Sequence, residues 1–120
     1  MDMEYAVVLA NTPDLETAEK IANGLVEGKL AACVSIVAGV SSVYRWEDKV
    51  EKSEEFQLII KTRSGLLPEV SEFVRSNHPD KIPETICLPI INGNPAYLDW
   101  LGANTIIAKD VPKWSPGDVI

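Results

Sequence analysis

Cysteine is scarce in this chain of 120 residues, and basic residues are outnumbered by acidic ones. The two cysteines, Cys33 and Cys87, are too few and too far apart for a zinc pattern or a CxxC redox pair. The 11 Lys and Arg residues stand against 18 Asp and Glu residues, giving a formal charge of −7. Because phosphate binding needs clustered Lys and Arg, this charge argues against a nucleic-acid partner. It is compatible with attraction of cations, although an acidic surface also simply keeps a protein in solution.

Long hydrophobic runs and several catalytic motifs are also absent. No apolar segment approaches the ~20 residues that span a bilayer, so no membrane partner is predicted. The N-terminal residues Met1 to Glu4 lack the basic start of a secretory signal, which predicts a cytoplasmic location with both cysteines as free thiols. There is no glycine-rich phosphate loop, GxSxG elbow or HExxH helix. The sequence therefore gives no support to the enzyme classes that carry those motifs.

The length predicts one domain over residues 1–120, with a tail rich in Pro and charge at 109–120. A chain of this size buries about two thirds of its unfolded surface, so its core needs no disulfide or structural metal. We find no internal repeat and no linker.

A long hairpin is the most informative predicted feature. The segment from Leu30 to Thr62 reads as two strands joined by a tight, charged turn at 46–49. The second strand has the two-residue period of a half-buried strand. Its apolar face carries Val50, Phe56, Leu58, Ile60 and Thr62, and its polar face carries Glu51, Glu55, Gln57 and Lys61. Because an overhanging two-stranded ribbon is marginally stable alone, we expect it to pack against another copy of the chain.

The remaining segments complete the order β-α-β-β-α-β with one extra C-terminal helix. Thr12 and Pro13 are expected to cap the first helix, which Gly28 ends. The other predicted elements are a central strand from Tyr5 to Ala10 covered on both faces, helix 66–77, strand Thr85 to Ile90 and helix Ala96 to Ala103. This order predicts an α+β class, a ferredoxin-like sandwich with an antiparallel sheet. In that topology Cys33 and Cys87 lie on opposite edge strands, too far apart for a disulfide.

Five blocks of sequence resemble the CutA family of divalent-cation-tolerance proteins. In order they are AACV, VYRWEDKVE, LIIKTR, NHPDKIPETICLPI and GNPAYLDWL, and they cover roughly Val7 to Ala103. The resemblance implies a small cytoplasmic homotrimer with a ferredoxin-like fold that binds copper or other divalent metal ions and takes part in the response to them. Because no catalytic motif is found, no organic cofactor and no catalytic residue are predicted. Asp80 and Lys81 depart from the commoner family pattern, where Tyr and an acidic residue often stand.

Three residues are the candidate metal ligands. His78, the only histidine, offers an imidazole that suits copper or zinc, although a histidine at a helix end also suits the helix dipole. Glu84 is the candidate second ligand, and its alternative is a solvated loop carboxylate. Cys33 offers sulfur for Cu(I), and its alternative is simple burial. One histidine cannot by itself form a closed four-ligand zinc site. Among divalent ions copper is expected to bind most tightly.

Four further residues are predicted to line a subunit interface or a cleft. Tyr44 and Trp46 stand on the hairpin, where aromatic side chains more often anchor an interface than stack on a ligand. Lys61 is predicted on the polar strand face, either solvated or binding an anion near His78. Cys87 is predicted to face the subunit interface if Ile86, Leu88 and Ile90 pack on the helices.

Two other functions stay open beside the metal-responsive trimer. One is a small-ligand signalling trimer of the nitrogen-regulatory PII type, but the segment WEDKVEKSEE is short and acidic and would repel phosphate. The other is an enzyme that uses His78, Glu84 and Lys61 in an intersubunit cleft.

Overall fold

The computed structural model describes residues 4–108, and the predicted tail at 109–120 lies outside them. The strands are β1 (Tyr5–Thr12), β2 (Cys33–Trp46), β3 (Lys49–Arg63) and β4 (Thr85–Pro89). The helices are α1 (Leu15–Glu27), α2 (Leu67–Ser76), which a short 3-10 turn directly precedes, and α3 (Pro95–Ala103). In this part of the chain no helix is long and apolar enough to cross a membrane.

The strands form one antiparallel sheet in the order β2-β3-β1-β4. This confirms the predicted α+β class and the ferredoxin-like arrangement. β2 and β4 occupy the two edges, so two strands separate Cys33 from Cys87. Adjacent strands lie about 4.8 Å apart, which keeps the two sulfur atoms beyond disulfide reach. Both cysteines are free, as predicted.

The hydrophobic core lies between α1, α2 and one face of the sheet. Its largest fully buried side chains include Ile21 and Leu25 from α1, Leu58 and Ile60 from β3, and Val70 and Val74 from α2. α1 buries Ala18, Ile21, Ala22 and Leu25, whereas Leu15 and Val26 at the margins of this apolar stripe stay exposed. The apolar face of β3 is likewise buried only near the helices, and Val50 at the far end is exposed.

The start of α1 differs from the prediction. Thr12 is the last residue of β1, and its hydroxyl donates to the carbonyl oxygens of Asp14 and Phe56. Asp14 is the N-cap instead, since its Oδ1 accepts the Thr17 amide at 2.7 Å. Thr12 and Asp14, which flank Pro13, can both cap a helix. Because β1 extends through Thr12, Asp14 is left as the cap of α1.

A β-bulge divides β2 into two halves with different registers. Val37 pairs with Gln57 and Val40 pairs with Glu55, so β2 has one residue more than β3 between these pairs. Gly39, with φ +71, adopts the left-handed conformation that the bulge requires. Beyond the bulge the alternation of β2 is reversed, which places Tyr44 and Trp46 on the same side as Glu55.

Glu47 and Asp48 close the hairpin with φ of 49 and 63. Positive φ at both central residues is the geometry of a type I′ turn, whose twist matches that of the flanking strands. The predicted tight turn at 46–49 is confirmed.

The predicted orientation of β4 is wrong. Cys87 pairs with the buried Val8 and packs against the core, so it faces the helices and not a subunit interface. Ile86 and Leu88 point to the other side and are 48% and 47% exposed.

The strand register places Ile86 and Leu88 on the sheet face turned away from α1 and α2, here called the open face. The open face carries Val7, Leu9, Cys33, Ser35, Val37, Ile59, Lys61, Ile86 and Leu88.

Candidate functional site: a cleft beside the hairpin

A cleft of about 760 Å³ opens where β1 ends and the hairpin continues past it. One wall is the far half of the hairpin, and the other is the loop between α2 and β4. The lining residues are Asn11, Ser42, Val43, Tyr44, Trp46, Glu55, His78, Pro79, Asp80, Lys81, Ile82 and Glu84. The cleft therefore brings together four of the residues singled out from sequence, namely Tyr44, Trp46, His78 and Glu84.

His78 fastens the loop to the end of β1. Its side chain is only 1% exposed. Nε2 lies 2.7 Å from the carbonyl oxygen of Asn11, and Nδ1 lies 3.0 Å from the backbone nitrogen of Asp80. Because a carbonyl oxygen can only accept and an amide N–H can only donate, this pair of contacts requires a neutral ring protonated at Nε2. Both ring nitrogens are thus engaged by the backbone.

Asn11 and Glu55 form the floor of the cleft. The Asn11 side-chain nitrogen donates to Glu55 Oε1 at 3.3 Å, which orients the amide. Among the described residues the other end of the amide, Oδ1, is buried and has no hydrogen-bond partner. A buried acceptor without a partner is costly, and its lack of exposed surface keeps a ligand in the cleft from reaching it in this geometry.

Of the other predicted residues, Cys33 and Lys61 lie on the open face, away from the cleft lining, and Cys87 faces the core. Lys61 Nζ is 2.8 Å from Ser35 Oγ and 3.9 Å from Cys33 Sγ. Lys61 is therefore placed with Cys33 and not beside His78. Tyr97 of α3 is close to the same thiol. Burial raises the pKa of the Tyr97 hydroxyl, and repulsion between a phenolate and the Cys33 thiolate raises this pKa further.

A single chain does not assemble the three candidate metal ligands. His78 and Glu84 share the cleft, whereas Cys33 lies on the open face. Within residues 4–108 no three His, Cys, Asp or Glu side chains come together as a metal site. Nδ1 of His78 would have to lose the hydrogen bond from Asp80 before it could bind an ion. The residues of one described chain thus do not fit a closed metal site.

Reasoning from sequence missed Asn11, Glu55 and Ile82 as parts of the cleft. The sequence places Glu55 only on the polar face of β3. The bulge in β2 turns Tyr44 and Trp46 to the side of Glu55, and Gly39 is its only signal in the sequence. Asn11 was missed because it lies next to a Thr-Pro pair that suggested a helix cap.

Comparison with known proteins identifies the family. Residues 6–104 match the family described as CutA1 divalent ion tolerance protein. The chloroplastic CutA protein of Arabidopsis thaliana is 50% identical over 99 residues, which cover 82% of this chain and 54% of the relative. The divalent-cation tolerance protein CutA of Thermus thermophilus is 48% identical, and the match covers 82% of this chain and 96% of the relative. The chain therefore spans about half the length of the plant relative and nearly all of the bacterial one.

Solved structures agree with the sequence comparison. The Thermus thermophilus divalent cation tolerance protein superposes with a TM-score of 0.82 at 46% identity, covering 84% of this chain and 98% of the other. CutA from Archaeoglobus fulgidus, described as periplasmic, gives 0.81 at 39% identity and covers 83% and 97%. Sequence and fold agree over nearly the whole described region, and the chain belongs to the CutA1 divalent ion tolerance family.

Proposed function

We propose that this protein is a homotrimer that binds divalent metal ions, copper most tightly. The open face carries the argument for assembly. Ile86, Leu88 and Val37 on this face are 40 to 48% exposed, and Val7 and Leu9 between them are half-buried. α1 and α2 do not cover this apolar sheet surface, and an exposed apolar patch is typical of an association surface.

The hairpin supports the same proposal. Val43 and Val50 at its far end are 67% and 68% exposed. β2 and β4 also leave unpaired backbone groups at both sheet edges, which natural proteins cover or pair. Three copies related by a three-fold axis would together cover the open face, one edge of the sheet and the far end of the β2–β3 hairpin of each chain.

Sedimentation equilibrium tests the assembly. We expect a particle with three times the chain mass of 13.2 kDa at micromolar concentration. A particle with the mass of one chain would refute the trimer, whatever the protein binds.

The metal part of the proposal rests on the family and on the chemistry of the donor groups. His78 and Glu84 share the cleft, and an imidazole nitrogen with a carboxylate suits Cu(II). Cys33 is half-buried on the open face and offers the soft sulfur that Cu(I) prefers. The cytoplasmic location inferred from the sequence stays a prediction, since the relatives named above include chloroplastic and periplasmic proteins.

Titration with Cu(II) and Cu(I) separates these donors. For Cu(II), His78→Ala should remove most of the binding and Glu84→Gln a smaller part, while Glu19→Gln on the exposed side of α1 serves as the control. For Cu(I), Cys33→Ser should remove binding, while Cys87→Ser, whose sulfur packs against the core, should retain it. Circular dichroism of each variant checks that the fold is intact. If His78→Ala binds Cu(II) as well as the wild type does, the histidine only fastens the loop.

A further inference from the structure

The cleft is far larger than a metal ion needs. A volume of about 760 Å³ lies in the range of sites that hold small organic molecules. Its lining is also mixed in character. Apolar surface from Val43, Pro79 and Ile82 stands beside polar groups that converge on the floor. A space of this size and composition suits a molecule with an apolar body and one polar end.

The charge of the lining selects the sign of that polar end. Glu55, Asp80 and Glu84 contribute three carboxylates, against which Lys81 is the single lysine among the lining residues. His78 adds no charge in the neutral form that its two hydrogen bonds require, and it has no free ring nitrogen to offer. A cation is therefore favoured, and a phosphate or carboxylate is disfavoured.

The carboxylate on the floor selects the kind of cation. Among the described residues Glu55 accepts only the weak 3.3 Å bond from Asn11. Its carboxylate is stabilised by a group that carries several N–H donors. A primary ammonium supplies three such donors, whereas a quaternary ammonium supplies none.

The aromatic rings of the hairpin suit the same ligand. Tyr44 and Trp46 are 44% and 48% exposed, and both line the cleft. Such rings stack on an apolar body and attract a cation through their faces. The reversed alternation after the bulge at Gly39 is what places them on the side of Glu55.

We infer that the cleft binds a small organic primary ammonium, an alkylamine or arylalkylamine, with its nitrogen at Glu55 and its apolar body against Tyr44 and Trp46. This site goes beyond the proposed metal function and does not depend on it, because it uses neither Cys33 nor a ring nitrogen of His78.

Isothermal titration calorimetry of the full chain with phenethylammonium tests the inference, in buffer containing a chelator so that no metal takes part. Phenethyl alcohol has the same apolar body without the charge, and we expect it to bind at least about tenfold more weakly because a charge-assisted hydrogen bond is lost. Phenethyltrimethylammonium keeps the charge without N–H donors and should also bind more weakly than the primary amine.

Matched variants locate the site. Glu55→Gln should weaken binding about tenfold, since the variant keeps an acceptor for Asn11 but loses the charge. Glu54→Gln, on the opposite side of the same strand and outside the cleft lining, should leave affinity unchanged. Lys81→Met should strengthen binding by removing the opposing charge, a gain that a folding defect cannot produce.

Three results would overturn the inference. They are no heat of binding for phenethylammonium, equal affinity for phenethyl alcohol, and equal effects of Glu55→Gln and Glu54→Gln. A neighbouring copy that fills the cleft in the assembled protein would also abolish the heat of binding, and this would equally overturn the inference. Loss of copper binding in the titrations described above would not change the binding of phenethylammonium, so the metal proposal and the ammonium proposal fail separately.

Discussion

At the scale of single residues, hydrogen-bond partners decide roles that residue type leaves open. His78 is by type a metal ligand or a helix-end residue. Its contacts show a third role, because it ties the Asn11 carbonyl oxygen to the Asp80 amide and so holds one wall of the cleft. Removing the ring would leave both backbone groups unpaired, which costs about 1–3 kcal/mol for each buried group.

Asp14 provides a residue-scale prediction about pH. The hydrogen bond from the Thr17 amide is the largest influence on the Asp14 carboxylate and lowers its pKa below the ordinary value. A carboxyl whose pKa is lower in the folded state stabilises the protein above its unfolded pKa of about 3.9, and this contribution is lost as pH falls through the folded value. In thermal unfolding between neutral and acid pH, Asp14→Asn should therefore lose less of its melting temperature on acidification than the wild type.

The asparagine keeps an oxygen that can cap α1 but has no charge to titrate. Asp14→Ala, which lacks the cap, should unfold at a lower temperature even at neutral pH. Equal acid sensitivity of Asp14→Asn and wild type would show that the cap does not contribute to the pH dependence.

At the scale of secondary-structure elements, one glycine sets which side chains of β2 reach the cleft. Gly39 has φ +71 and no atom within 4 Å of the position a Cβ would take. Any cost of Gly39→Ala therefore comes from the backbone and should be roughly 1–2 kcal/mol in urea unfolding. Gly93→Ala is the control, because Gly93 lacks a positive φ and a Cβ there makes only ordinary contacts of 3.6 Å.

Deletion of Gly39 would remove the extra residue of the bulge and leave Val40 opposite Glu55, so Tyr44 and Trp46 would stay on the side of Glu55. Phenethylammonium binding should then be retained, and its loss would show that the backbone shape of the bulge itself forms the site. If Gly39→Ala and Gly93→Ala are equally stable, the bulge does not depend on glycine.

The order of the elements could be predicted because each one has a local signal. The period of two along β3 and the Gly28 stop of α1 appear in the structure as expected. The facing of β4 could not be predicted. Ile86 and Leu88 form an apolar stripe, and the stripe indicates burial without indicating which side of the sheet is buried. When the face opposite the helices is itself apolar, alternation alone cannot assign Cys87 to the core.

The cleft depends on contacts between distant segments, and this is why only part of it was predictable. Tyr44, Trp46, His78 and Glu84 were singled out by type, and the structure brings them together. Asn11 and Glu55 join them only through the register of β1, β2 and β3, which the bulge shifts by one residue. The sequence leaves Lys61 either solvated or near His78, and the same register places it beside Cys33 and Ser35 instead.

At the scale of the whole molecule, the open face explains why this chain has two apolar sides to its sheet. α1 and α2 cover one side, where Val8, Leu58 and Ile60 are fully buried. The other side of the sheet carries the alternate residues of every strand, and it is apolar apart from the group around Lys61 and the polar residues Asn11, Glu55 and Gln57. A monomer would leave this surface in water, at about 25 cal/mol for each Å² of apolar area.

A charge on the open face should therefore break the proposed trimer without unfolding the chain. Leu88 is 47% exposed at an edge strand, so Leu88→Glu places a carboxylate in water in the monomer but buries it without a partner in the assembly. Leu15→Glu is the matched control, since Leu15 is 45% exposed on the helical side and a carboxylate suits the first turn of α1. Sedimentation should show single chains for Leu88→Glu and trimers for Leu15→Glu, with the same far-ultraviolet circular dichroism for both. Trimers of Leu88→Glu as stable as those of the wild type would exclude this part of the open face from the contact and leave the hairpin as the assembly surface.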